Sequence, residues 1–194
     1  MGTRNLTCVV KDGEFKVAQY GQWDGYPSGS GRLILAWLQE ANIADLSEAV
    51  DNVCAFEGNE AGDAWVEVGG TGYIPTADFD NYPSLSRNMG SDVLDYVVSE
   101  LKPILVMDEA FADDSLFCEW AYVIDLDTNT FEVYEGFNKE PLTEADRFFT
   151  GETPDTCFDG SSGYHPVKLA ASYNLSSLPT QVDFLAKLEP EDEE

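Results

Sequence analysis

The sequence predicts an α+β fold: one domain over residues 1–188, followed by an acidic tail at residues 189–194. Three observations carry this. Two pairs of β-rich runs are joined by hairpin-forming turns, one around Asp12-Gly13 and one around Asp127-Thr128-Asn129. Helix-patterned segments stand between and after the hairpins instead of alternating strictly with strands, which separates α+β from α/β. No internal repeat and no linker-like composition divides the chain, and its 194 residues are about one domain's length. The expected architecture is an antiparallel sheet built from two hairpins with helices packed on it, because a lone hairpin is not stable in water.

Residues 5–10 read as the first strand and residues 15–20 as its partner, with Gly13 free to take the positive φ of a tight turn. Residues 21–31, GQWDGYPSGSG, hold too much Gly and Pro for a regular element. Residues 32–41 form a helix whose apolar run from Leu33 to Leu38 covers most of its circumference, so it is expected to be well buried. A second short helix is expected from Asp45 or Ser47 to Phe56, capped by Ser47, with Leu46, Val50 and Val53 at helical spacing. Residues 57–90 are rich in Gly and Pro and offer one short strand at residues 64–68.

Ser91 then caps a helix over residues 92–101, which Pro103 ends. Residues 117–126 and 130–134 make the second hairpin, with Cys118, Trp120, Tyr122 and Ile124 on one face by the two-residue period. Pro141 opens a short helix to Phe149, residues 164–173 give another strand, and a last helix follows Leu178-Pro179-Thr180 to end near Leu188.

Charge is the most unusual feature. Against 37 acids stand 10 bases, a net of −27. The excess is uneven: residues 1–44 balance four acids with four bases, whereas residues 45–135 hold 21 acids and only Arg87 and Lys102. Such a surface repels phosphates and anionic lipid, so neither direct nucleic-acid binding nor membrane binding is expected. No run approaches the roughly 18 apolar residues of a membrane span and no signal sequence is evident, so a cytoplasmic location is expected. Solubility explains the acidity most simply; salt adaptation, a basic protein partner and DNA mimicry are the sharper readings.

The four cysteines, Cys8, Cys54, Cys118 and Cys157, are far apart with no CxxC pair, and read as reduced core residues. His165 is the only histidine. No residue set calls for a metal or a cofactor: Asp125-Leu126-Asp127-Thr128-Asn129 imitates half a calcium loop but has Thr130 where Gly is needed and Gly136 where Glu is needed. The pairs Asp108-Glu109 and Asp113-Asp114 read as solvated acids, and His165 as a packed imidazole.

The Gly- and aromatic-rich segment between the first strand pair and the first helix is the best candidate site. It lies in the charge-balanced part of the chain and leads into a helix start, where backbone amides can grip an anion. Tyr20, Trp23, Asp24, Tyr26, Ser28, Ser30 and Arg32 are expected to line a small-molecule site, combining stacking surface, hydroxyls, a carboxylate and a guanidinium. The bland reading is a structural loop whose Trp23 and Tyr26 plug the core.

A strand hairpin at the chain start followed by a helix also resembles the opening of N-terminal nucleophile amidohydrolases. Their free amino-terminal Cys, Ser or Thr is absent here, since loss of Met1 exposes Gly2; Thr3 or Cys8 would need further processing to serve. A relative of that fold without its nucleophile is the easier expectation. Residues 2–7 (GTRNLT) with 18–27 (AQYGQWDGYP), and later 119–126 (EWAYVIDL) and 164–168 (YHPVK), resemble a family of uncharacterised proteins in tailed bacteriophages and bacterial genomes. That resemblance implies a phage accessory protein and assigns no catalytic residue. The expected function is therefore non-catalytic: an acidic cytoplasmic binding protein that engages a host protein or a small ligand. An amidohydrolase and a DNA-mimic inhibitor of a nucleic-acid-binding enzyme stand as alternatives.

Overall fold

A computed structural model describes residues 2–57, 83–151 and 163–190. Strands β1 (Asn5–Lys11) and β2 (Glu14–Gly21) form the first hairpin, followed by a widened helical turn at Pro27–Gly31 and helix α1 (Arg32–Glu40). Helix α2 (Ile43–Ala49), strand β3 (Cys54–Glu57), helix α3 (Val93–Ser99) and strand β4 (Ile104–Met107) come next. Strands β5 (Trp120–Asp125), β6 (Thr130–Glu135) and β7 (Lys168–Asn174) precede the final helix α4 (Gln181–Leu188). The fold is α+β.

Both expected hairpins are present, but the sheet they build is mixed, not antiparallel. Its order is β2-β1-β5-β6-β7, and β1 lies parallel to β5, with Asn5 opposite Trp120 and Val10 opposite Asp125. The long intervening chain lets the second hairpin arrive beside the first pointing the same way. The two turns therefore meet at one end of the sheet. Asp12 and Gly13 both take positive φ, 57° and 75°, and their N–H groups donate to the two carboxylate oxygens of Asp127 at 2.9 and 2.8 Å. A second, parallel pair of strands, β3 with β4, makes a separate small sheet.

Strand alternation sorts the core into two sides. On one, Val9, Tyr122, Ile124, Phe131 and Val133 are fully buried, and Ile34 and Leu35 of α1 and Phe184 of α4 are buried with them. Phe184 stacks on Phe131 at 6.0 Å. On the other side lie Leu6, Cys8, Ala121 and Val123. There Phe148 stacks on Phe15 at 5.8 Å and meets Tyr134 edge-on at 4.9 Å.

Several local expectations are corrected. Asn42, not Ser47, caps α2, its Oδ1 accepting the Ala44 N–H at 3.1 Å. The helix ends at Ala49, and residues Cys54–Glu57 are strand where helix was expected, because they pair with β4. Before α3 a tight turn at Gly90–Asp92 takes the place of a Ser91 cap, and the helix stops at Ser99. Residues 141–149 are turns rather than a helix. The Thr143 N–H and hydroxyl both donate to Asp146 Oδ2 at 2.8 Å, an alternative to helical bonding that short polar side chains offer. β7 starts four residues later than expected, and α4 is capped by Thr180, whose hydroxyl accepts the Asp183 N–H at 3.2 Å. The strand expected at residues 64–68 lies outside the described residues, as do Cys157 and most of the tail.

Candidate functional site

The loop from β2 to α1 is bonded at almost every step. Gly25 N–H donates to Thr3 O at 3.0 Å, Gly29 and Gly31 N–H donate to Tyr26 O at 2.9 and 3.2 Å, and Ser30 donates to Asp24 O through both its N–H and its hydroxyl, at 2.8 and 3.0 Å. From beneath, the buried Tyr122 hydroxyl donates to Gly25 O at 2.8 Å, and the Asn5 amide donates to Trp23 O and Ser30 Oγ at 3.4 Å. Gly31 lies against the Tyr122 ring too closely for any side chain. Asp24, a non-glycine residue, is held at φ 52°. These hydrogen bonds tie the loop to itself, to Thr3 and Asn5 of the chain start and to Tyr122 of the sheet.

The seven expected residues do not converge on one pocket. Trp23, Asp24, Tyr26, Ser28 and Arg32 are exposed, Ser30 is buried beneath them, and Tyr20 lies on the opposite side of the sheet. There the Tyr20 ring meets Phe111 edge-on at 5.0 Å and its hydroxyl donates to Gln22 Oε1 at 2.8 Å. Trp23 and Tyr26 are not core plugs either: they are 56% and 49% exposed. The Trp23 indole N–H donates to Asn88 Oδ1 at 3.0 Å, which fixes the ring while leaving it in solvent. At the helix start the Arg32 N–H is already taken up by the carbonyls of Gly29 and Pro27, so it is not free to grip an anion.

The other candidates resolve into structural roles. Burial alone would raise the Asp125 carboxyl, but the N–H of Thr128 and the Arg147 guanidinium outweigh it and hold the group below its ordinary value. Asp125 Oδ1 accepts the N–H groups of Asp127 and Thr128 at 2.9 Å, so the loop that imitates a calcium site is a hairpin turn closed by its own carboxylate. Arg147 bonds Asp125, Glu132 and the Tyr134 hydroxyl together, on the floor of an open cleft of about 510 Å³. His165 is half-buried, and its backbone N–H donates to Asn138 O at 2.8 Å. Among the described residues no group of three His, Cys, Asp or Glu is arranged to hold a metal ion, and no helix is long and apolar enough to cross a membrane.

The two residues that further processing could expose as nucleophiles, Thr3 and Cys8, are both buried. Cys8, Cys54 and Cys118 are free thiols. Cys8 sits in mid-strand, fully buried, and burial together with the nearby Glu109 carboxylate pushes its thiol far up. A buried, protonated thiol inside β1 cannot reach substrate without dismantling the sheet.

The Asp108 carboxyl is lifted toward neutrality. Burial, and then the adjacent Glu109 charge, raise it to about 6. Because the folded value lies above the unfolded one, stability falls as pH rises from about 4 through about 6 and the folded state is made to carry the charge. Asp108→Asn is therefore expected to raise the melting temperature at pH 7.5 and not at pH 4. The gain is roughly 2–4 °C, the shift for about 1 kcal/mol in a chain of this size once solvent screening at a partly exposed group is allowed for. Thermal unfolding of both proteins at the two pH values checks it; an equal gain at both would show that the charge is not the cause.

Two groups escaped the sequence reading. Arg147 is the ionic centre of the second hairpin, and its only sequence signal is being a lone base among acids. Phe117 and Phe137 are large apolar residues that face solvent, a placement no local pattern announces. No family model matches this chain, no curated protein does, and no solved structure does.

Proposed function

We propose that the protein is a non-catalytic binding protein that engages another protein through the exposed aromatic surface of its β2–α1 loop. The observation that carries the reading is a hydrogen-bonded loop holding Trp23 and Tyr26 half in solvent. Hydrophobic burial would ordinarily draw both rings inward, and Trp, Tyr and Arg are the side chains that dominate protein interfaces. Arg32 and Leu33, both exposed, extend that surface along the first turn of α1. A small-molecule site is less well supported, since the aromatic, hydroxyl and cationic groups point outward rather than around a cavity.

The opening residues' resemblance to phage proteins makes a bacterial host protein, met in the cytoplasm, the first partner to seek. Immobilised full-length chain and its Trp23→Ala/Tyr26→Ala variant, exposed to the same bacterial extract, test the reading. The expected result is a protein retained by the first and lost from the second, with unchanged circular dichroism. Identical retention by both, with folding intact, rejects the loop as a binding surface.

A further inference from the structure

The register of the five-stranded sheet gathers the start of β1, the end of β2, the approach to β5, the exit from β6 and the approach to β7 at the end opposite the two clasped turns. Brought to one end of the sheet, these loops carry the exposed rings of Trp23, Phe117 and Phe137 as an aromatic band. The Trp23 ring lies against the backbone of Gly2. Two residues on, the Arg4 guanidinium sits 4.6 Å above the Phe117 ring and 3.7 Å from Glu119. Phe137 N–H donates to Ser115 O at 2.7 Å, which fixes the β6 exit beside the Phe117 loop. The Phe137 ring then meets Tyr164 edge-on at 6.1 Å, and Lys139 lies 5.4 Å over the Tyr164 ring. Phe117 and Phe137 are 44% and 52% exposed, comparable to Trp23 and Tyr26.

Backbone conformation marks the same band independently. Four described non-glycine residues have positive φ: Asp12, Asp24, Asn129 and Phe137. Asp12 and Asn129 belong to hairpin turns, which require that conformation of polar residues. Asp24 and Phe137 belong to the band, and an aromatic residue at φ 52° is a true outlier. A bulky ring kept outward on strained backbone is the kind of local cost that persists at binding surfaces.

We infer that this whole end of the sheet, from Trp23 through Phe117 to Phe137, is one docking surface for an arginine-bearing segment of a basic protein. The inference rests on the reading of the β2–α1 loop as a binding surface and extends it to loops remote in sequence. Two observations select the occupant. The chain carries a net charge of −27, which repels a second copy and draws in a basic chain. Within the band, Glu119 faces Arg4, Glu140 pairs with Lys168, and Arg32 and Lys139 stand against the exposed Asp24 and Glu135, while the exposed Asp113 and Asp114 of the Phe117 loop add negative charge. Long-range attraction therefore comes from the acidic molecule as a whole, and the close hold at the band comes from ring faces. Arg4 on Phe117 and Lys139 on Tyr164 show within this chain how such rings take a cation. The Trp23 and Phe137 rings remain exposed for the partner.

A library of random peptides of about twelve residues, displayed on yeast and selected on the immobilised full-length chain, tests this, the peptide length being that of a typical recognition segment. The expected peptides carry arginine beside aliphatic or aromatic residues and bind more weakly at high salt. Their binding is expected to fall at least about tenfold, the loss typical of an interface hot spot, in each of Trp23→Ala, Phe117→Ala and Phe137→Asn. Asn is chosen at position 137 because it tolerates positive φ, so the ring is removed without disturbing the turn. Peptides lost from Trp23→Ala but unaffected by the other two changes overturn the extended band and leave the loop reading standing. Peptides indifferent to all three overturn both. Peptides enriched in acidic residues, or without basic ones, overturn the choice of partner.

Discussion

Arg147→Met is expected to destabilise the protein by about 3–5 kcal/mol, the range found when one partner of a buried ion pair is removed. Arg147 Nε donates to Glu132 Oε2 at 2.8 Å and to the Tyr134 hydroxyl at 3.3 Å, and Nη2 donates to Asp125 Oδ2 and to Glu132 Oε1. The carboxylates it joins are 5% and 13% exposed at their side chains. Without the guanidinium, two negative charges stay behind without their counter-ion, mostly buried beside the open cleft, on neighbouring strands of the same hairpin. The loss should also depend on pH. Asp125 is held below its ordinary value in the wild-type fold, so its contribution is present above about pH 4 and disappears as pH falls below that. In the variant the stranded carboxylates neutralise instead, and the gap between the two proteins narrows in acid. Urea unfolding at pH 7 and pH 4 measures both effects. A gap that is the same at both pH values would show that Arg147 acts through packing alone.

Gly29→Ala is expected to cost about 1–3 kcal/mol, the usual penalty for forcing an extra group into filled space. A Cβ at this position would lie well under 3.0 Å from the carbonyl oxygen of Asp24. That carbonyl cannot withdraw, because it accepts both the N–H and the hydroxyl of Ser30, and Asp24 itself is fixed at φ 52°. The change must displace the whole Asp24–Ser30 unit, and with it the backbone that carries Trp23 and Tyr26. A loss of stability by urea unfolding should therefore be accompanied by altered near-UV circular dichroism. Wild-type stability would mean that the loop has room the geometry denies.

Much of the fold was legible in the sequence, and the failures share a physical cause. Both hairpins, α1 and α4 announce themselves through turn residues, capping by Thr180 and apolar spacing, all of which act within a few residues. β4 gave no such signal: Ile104–Met107 is four residues between Pro103 and Asp108, and only its pairing with Cys54–Glu57 makes it a strand. The parallel register of β1 and β5 joins residues 115 apart and leaves no local trace. Residues 141–149 failed as a helix because Asp146 takes the Thr143 N–H and Arg147 turns to the sheet.

The candidate site divides in the same way. The unusual composition of residues 20–32 marked the loop, yet whether Trp23 and Tyr26 face the core or solvent depends on Thr3, Asn5 and Tyr122, which hold the loop from outside it. Phe137 could not be foreseen, since positive φ at a phenylalanine has no sequence signature.

The clasp between the two hairpin turns also orders the assembly of the molecule in time. Each hairpin closes a short loop and can form early, at small entropic cost, with no help from the other. Asp127 can meet the N–H groups of Asp12 and Gly13 only after β5 has docked alongside β1, an event that brings together chain more than a hundred residues distant. That junction spans the longest separation in the five-stranded sheet, and non-local pairing of this kind is reached late because its loop-closure entropy comes before any contact rewards it. Until it closes, β1 and β5 each have an unpaired edge, and the repulsion between chains of net charge −27 opposes edge-to-edge pairing of one molecule with another.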